Sequence, residues 1–170
     1  RCLVGSEMCI RDRRFVSLIS KAKIAKIQHF ITRRALSLPE NKEALAQLVG
    51  LLDQLDGESQ KAVMGGMLVG LEGRTGIEAP ANWASTASNL DHLPDLVLEL
   101  GNRFGDKQSL IRFRQIALDD TVGDKDRVRA MEQLLIRKPE GHDAWLLEQV
   151  HVPALQRSAI RGLAQFTHQK

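Results

Sequence analysis

Cysteine is nearly missing from this chain. Its two copies, Cys2 and Cys9, sit at the N-terminal edge, so beyond them there is no disulfide framework, no thiolate nucleophile and no zinc site built on cysteine. Tyrosine is absent and aromatic residues make up only 4%, which leaves Leu, Ile, Val and Ala to fill the interior, the usual content of packed helices. No apolar run approaches the roughly 18 residues that span a bilayer. Neither sign of charge dominates: 24 basic against 21 acidic residues give +3, too little to imply a polyanionic partner, and no nucleic acid is expected. There is no Cys-x-x-Cys-His for haem attachment and no Gly-x-Ser-x-Gly elbow. The five histidines, His29, His92, His142, His151 and His168, show no metal-ligand spacing and read as surface or turn residues.

What is present is ordinary globular material, 43% apolar and 26% charged, arranged as a repeat. Residues 126–138 align without a gap on residues 155–167. Ala130-Met131 falls on Ala159-Ile160, Leu134 on Leu163, and Arg129 on Ser158. A third copy at residues 94–105 places Val97-Leu98 on the same pair. The offsets are 33 and 29 residues. A helical unit recurring every ~30 residues predicts an all-α solenoid of antiparallel helix pairs, each burying its apolar face on the next. On this reading Leu134 and Leu163 face the core, while Arg129 and Ser158 face outward. The last unit lacks its second helix, so the array is expected to be truncated at both ends.

The helices follow from periodicity and punctuation. Residues 15–38 predict one helix with Leu18, Ile19, Ala22, Ala25 and Ile31 on an apolar face, ended by Pro39. Residues 41–55 and 58–71 predict the next two, separated by Asp56-Gly57. Gly65, Gly66 and Gly70 lie inside the second of these, where each costs up to ~1 kcal/mol against Ala. They are read as room for a neighbouring helix, since no Lys-Ser/Thr follows to make a phosphate loop. Pro80 opens a short helix to residue 90, with Trp83 inward. Helices at 95–104, 107–118, 125–137, 142–150 and 154–166 complete the chain. Trp145, like Trp83, is assigned to the core.

The acidic pairs Asp119-Asp120 and Asp124/Asp126 fall between helices. They read as turn-forming and capping groups rather than a general acid and base. The densest charge is the basic stripe Lys21, Lys23, Lys26, Arg33 and Arg34. It offers a binding face for phosphates or acidic headgroups, but reads better as a solvated surface or as a face that meets an upstream unit. Phe30 is its one interleaved aromatic, which is poor material for stacking bases.

Two resemblances add to this. Residues 4–13, VGSEMCIRDR, resemble translated sequencing-adapter read-through. Residues 1–13 have no start Met, no signal-peptide order and no helical period, and are set apart as an artefactual leader from a helical repeat domain over 14–170. The second resemblance rests on Gly66-Met67, Leu71-Glu72-Gly73-Arg74, Pro80, Trp83 and Phe104-Gly105-Asp106. These resemble the HEAT-repeat region of the large PVC-type haem-binding proteins, also described as membrane-bound dehydrogenases. The resemblance covers roughly residues 41–168 and implies a HEAT-like α-solenoid. It further implies a parent with a propeller-like domain upstream and a c-type cytochrome domain downstream, exported to the cell envelope or periplasm. It carries over no catalytic, cofactor-binding or metal-ligating residue. The expectation is therefore a non-catalytic scaffold, with no cofactor of its own, that engages neighbouring domains of its chain or another protein. The alternative is a free-standing HEAT adaptor gripping an acidic partner through the Lys21–Arg34 face.

Overall fold

The computed structural model describes residues 15–37, 42–74, 76–137 and 141–166; the leader at 1–13, Pro39 and His168 lie outside these. Every regular element among them is helical. They are α1 (residues 15–21), α2 (Ala25–Leu36), α3 (Lys42–Leu52), α4 (Gly57–Gly70), α5 (Trp83–Ser88), α6 (Pro94–Phe104), α7 (Lys107–Leu118), α8 (Asp124–Arg137), α9 (His142–Gln149) and α10 (Gln156–Phe166). Among the described residues no helix is long and apolar enough to cross a membrane.

Capping explains several boundaries. The Asp56 carboxylate accepts from the Ser59 amide at 2.8 Å and starts α4. Asp106 does the same for α7, accepting from the Ser109 amide at 2.9 Å. Each satisfies an N–H that the first helical turn cannot. Gly105 precedes Asp106 at φ 77°, a left-handed turn that a Cβ would strain.

The first predicted helix is broken. Residues 22–24 leave the helix, and Ile24 is extended at φ −112°, ψ 114°. The cause is Gln28, which is buried. Its side-chain amide donates to Ala22 O at 2.9 Å and Ile19 O at 3.3 Å. Ala22 O lies just past the end of α1, and Ile19 O also accepts from the Ala22 amide at 3.2 Å, so the glutamine joins the bonds that close the helix. A glutamine side chain reaching back in this way leaves no periodic signal. The predicted 80–90 helix is shorter as well: Pro80 stands in the turn before α5, its carbonyl accepting from the Trp83 amide at 2.9 Å.

The residues divide into two units. The first runs to Arg74 and resumes over Glu78–Leu100, and the second includes Ile77 and begins again at Gly101. The boundary falls inside α6.

In the first unit α2 lies on α4, and α3 on α5. Contacts advance together along both pairs. Gly66 meets His29 and Thr32, and Gly70 meets Arg33 and Leu36, so α2 and α4 run in the same direction. The Asn82 amide donates to Ala46 O at 3.2 Å. Further along, Thr86 Oγ1 and Asn89 Nδ2 both donate to the Asp53 carboxylate at 3.1 Å. Leu36, Leu48, Leu52, Met64, Met67, Leu71 and Leu90 form the apolar interior of this unit. Burial of such side chains supplies about 1.5–3 kcal/mol each.

Two of the three glycines behave as read from the sequence, while a Cβ on Gly65 would come no closer than 3.4 Å to the His29 ring. A Cβ on Gly66 would stand 2.6 Å from His29 O, and one on Gly70 would stand 2.8 Å from Leu36 Cβ. Both are below van der Waals contact, so α4 approaches α2 only because these positions are bare.

The second unit packs mainly through successive helices, with one next-but-one contact. α8 packs on α7 and α10, and α9 on α10. Arg161 Nη2 donates to Glu132 Oε1 at 2.8 Å, and Gly162 abuts Leu135. These contacts again advance together. On the other side of α8, Asn102 Nδ2 donates to Gln133 O at 2.7 Å, and Arg137 Nη1 to Arg103 O at 3.2 Å.

Register is kept, but burial is not copied position by position. Leu134 and Met131 are buried, yet Leu163 is half-buried and Ile160 is 53% exposed. Ser158, expected to face outward, is buried. The inward side of α10 is Ser158, Ala159 and Gly162, a small-residue stripe that lets Leu135 and Leu146 close on Gly162. Ser158 Oγ tolerates burial because it accepts from Arg161 Nη2 at 3.3 Å.

Candidate binding face

α2 is inverted relative to an ordinary amphipathic helix. Its inward residues are Gln28, Thr32, Ala35 and Leu36, small or polar apart from Leu36. Two features of the packing produce this. Gln28 is needed inside to end α1, and Gly66 and Gly70 of α4 bring a backbone so close that a bulky partner would not fit. The bulky apolar residues are left outside: Ile27 is 45% exposed, Phe30 51% and the preceding Ile24 58%. Leu18 of α1, assigned to the apolar face by its spacing, is also exposed.

The basic stripe sits on this same surface. Lys21 ends α1, Lys23 lies in the break, and Lys26, Arg33 and Arg34 are on α2; all five are exposed. At 100° per residue, Arg33, Lys26, Phe30, Arg34 and Ile27 fall in that order across an arc of about 120°. Phe30 is therefore flanked by cations on both sides. Its ring stands edge-on to His29 at 5.7 Å between centroids. None of the five cations forms an ion pair among the described residues. Other cations are engaged: Arg127 with Asp124 at 3.8 Å and Ala117 O, Arg161 with Glu132, and Lys42 with Glu78 at 3.2 Å. Residues 15–37 contain no acidic residue, while the rest of the chain carries 19 basic and 21 acidic ones.

The other candidates are structural. Asp119 accepts from the Thr121 amide at 2.9 Å and from its hydroxyl at 2.5 Å. These bonds hold its carboxyl below the usual range, which suits a turn and not a proton donor. Trp83 and Trp145 are core residues, as expected. A shallow open cleft of about 450 Å³ beside Val16, Ser20, Gln47, Gly50, Leu51 and Gln54 presents no ionisable side chain. Among the described residues no group of three His, Cys, Asp or Glu is placed to hold a metal ion.

His142 corrects the sequence reading. It opens α9 but is buried, 4.7 Å from the Trp145 ring between centroids. Burial pulls its imidazole down to about 4; Arg114 reinforces this and Asp143 opposes it. Its ordinary value of 6.5 holds in the unfolded chain. Between pH 6.5 and 4 the unfolded state therefore takes the proton and the folded state does not, so stability falls as pH is lowered. His142→Gln should flatten the dependence of the urea midpoint on pH in that window. An unchanged slope would assign the acid sensitivity to other groups.

No protein-family model, curated protein or solved structure matches this chain.

Proposed function

We propose that this chain is a HEAT-type α-solenoid segment acting as a non-catalytic scaffold or interaction module. We further propose that it serves a larger, envelope-exported haem-binding redox protein of the PVC-type family, as the resemblance implies. On this reading antiparallel helix pairs stack so that each helix meets its counterpart one repeat later, and c-type haem belongs to a separate domain. Its partners are then neighbouring domains of the same chain or another protein.

The observation that carries the solenoid reading is the Glu132–Arg161 bond at 2.8 Å. Those residues are 29 apart, the offset at which the sequence repeats, so the repeated helices contact each other in register. Same-direction stacking of α2 with α4 and α3 with α5 supports it from the other unit, with contacts about 33–37 residues apart. Nearest-neighbour stacking of this kind is what repeat arrays use to bury an otherwise open face.

Parentage is tested by reading the coding sequence on either side. An in-frame Cys-x-x-Cys-His downstream and propeller-type repeats upstream are expected. A stop codon directly after Lys170 with no flanking domain would overturn the redox parent and leave the free-standing adaptor.

A further inference from the structure

We propose that the outward face of α2, led into by Lys21 and Lys23, docks on an anionic lipid bilayer surface. The proposal goes beyond the scaffold reading. It rests on the inversion of α2. A helix that turns Gln28 and Thr32 inward and Ile27 and Phe30 outward exposes apolar bulk that its own unit leaves uncovered. Cations surround that bulk without an acidic residue anywhere in residues 15–37. Helices that lie in a membrane interface have this combination: apolar side chains enter the acyl boundary while Lys and Arg remain with anionic headgroups.

Charge complementarity selects an anion, and shape selects among anions. A docked acidic helix needs a groove to receive its apolar side chains. The cleft of the first unit is lined by Val16, Ser20, Gln47, Gly50, Leu51 and Gln54, none of them a cation of the stripe or one of its protruding apolar residues. Phe30 and Ile27 instead project from α2 among Lys26, Arg33 and Arg34, so apolar insertion and contact with anionic headgroups can occur together. Single-stranded nucleic acid would need successive stacking rings, and Phe30 is the one aromatic of α2.

The test is sedimentation of the full chain with vesicles of phosphatidylcholine alone and of phosphatidylcholine mixed with phosphatidylglycerol. Binding is expected to the mixed vesicles, negligible to the neutral ones, and weakened by salt. Lys26→Glu/Arg33→Glu/Arg34→Glu should lower partitioning by more than about a hundredfold, at about fivefold or more per charge. Phe30→Ser should lower it by about tenfold, the loss expected for withdrawing one apolar side chain. All of these residues are exposed, so unchanged far-ultraviolet circular dichroism and thermal midpoint should accompany the loss. Equal binding by the charge-reversed chain would overturn the proposal. So would absence of vesicle binding, whether or not the chain binds poly-glutamate or single-stranded RNA; poly-glutamate binding without vesicle binding would assign the face to an acidic protein.

Discussion

Leu134→Ala is expected to lower the unfolding free energy by about 2–5 kcal/mol, the range for emptying a packed leucine site. Leu134 is buried in α8, the helix that meets α7 and α10 and receives the Asn102 and Arg161 bonds. Leu163→Ala, its counterpart in the repeat, should cost clearly less, because Leu163 is half-buried and water already covers part of it. Arg129→Ala, on the exposed side of α8, should stay within about 0.5 kcal/mol. Urea unfolding of the three variants checks the order. Equal costs for Leu134 and Leu163 would contradict the difference in burial.

Gly66→Ala and Gly70→Ala combined should destabilise the first unit, and Gly65→Ala should not. In an exposed helix each change would gain up to about 1 kcal/mol by propensity alone. At Gly65 the added Cβ stands 3.4 Å from the end of the His29 ring, which can yield, so that gain should be largely kept. At Gly66 it meets backbone, His29 O at 2.6 Å, and at Gly70 it meets Leu36 Cβ at 2.8 Å. Overpacking costs about 1–3 kcal/mol at such a site, exceeding the propensity gain. Because both changes push the same helix pair apart, their effects should not add. Thermal unfolding gives the sign directly: a raised midpoint for Gly65→Ala and a lowered one for Gly66→Ala/Gly70→Ala. A double variant as stable as the parent chain would mean that α2 and α4 are not held by close backbone contact.

Much of the helical plan was legible because it rests on local rules. Residues 107–118 were read as one helix, and α7 has those bounds. The 29-residue offset between residues 126–138 and 155–167 was visible as matching letters, and it reappears as the contact between Glu132 and Arg161. Gly66 and Gly70 of α4 were interpretable because glycine inside a helix is costly without a close neighbour, and Gly65 was read the same way although it has room for a Cβ. What escaped the sequence depends on partners distant in the chain. Gln28 looks like a surface residue until its amide is seen ending α1. Ser158 and His142 look like surface groups until Arg161 and Trp145 are placed beside them. The division at Leu100 lies within a continuous helix and carries no local mark. For the candidate face, the cations were legible as a run of like charge. The exposure of Phe30 and Ile27 was not, because periodicity finds an apolar face but does not say which side of α2 meets α4.

The central claim is that helices stack on their counterparts one repeat along, so that damage spreads to neighbours and no further. Amide hydrogen exchange of Leu134→Ala against the parent chain measures this most directly. Exchange should quicken in α8 and in the adjoining α7, α9 and α10, while Lys42–Leu52 and Gly57–Gly70 keep their protection. Loss of protection spread evenly over all of these helices would reveal a single cooperative globule and contradict the solenoid account.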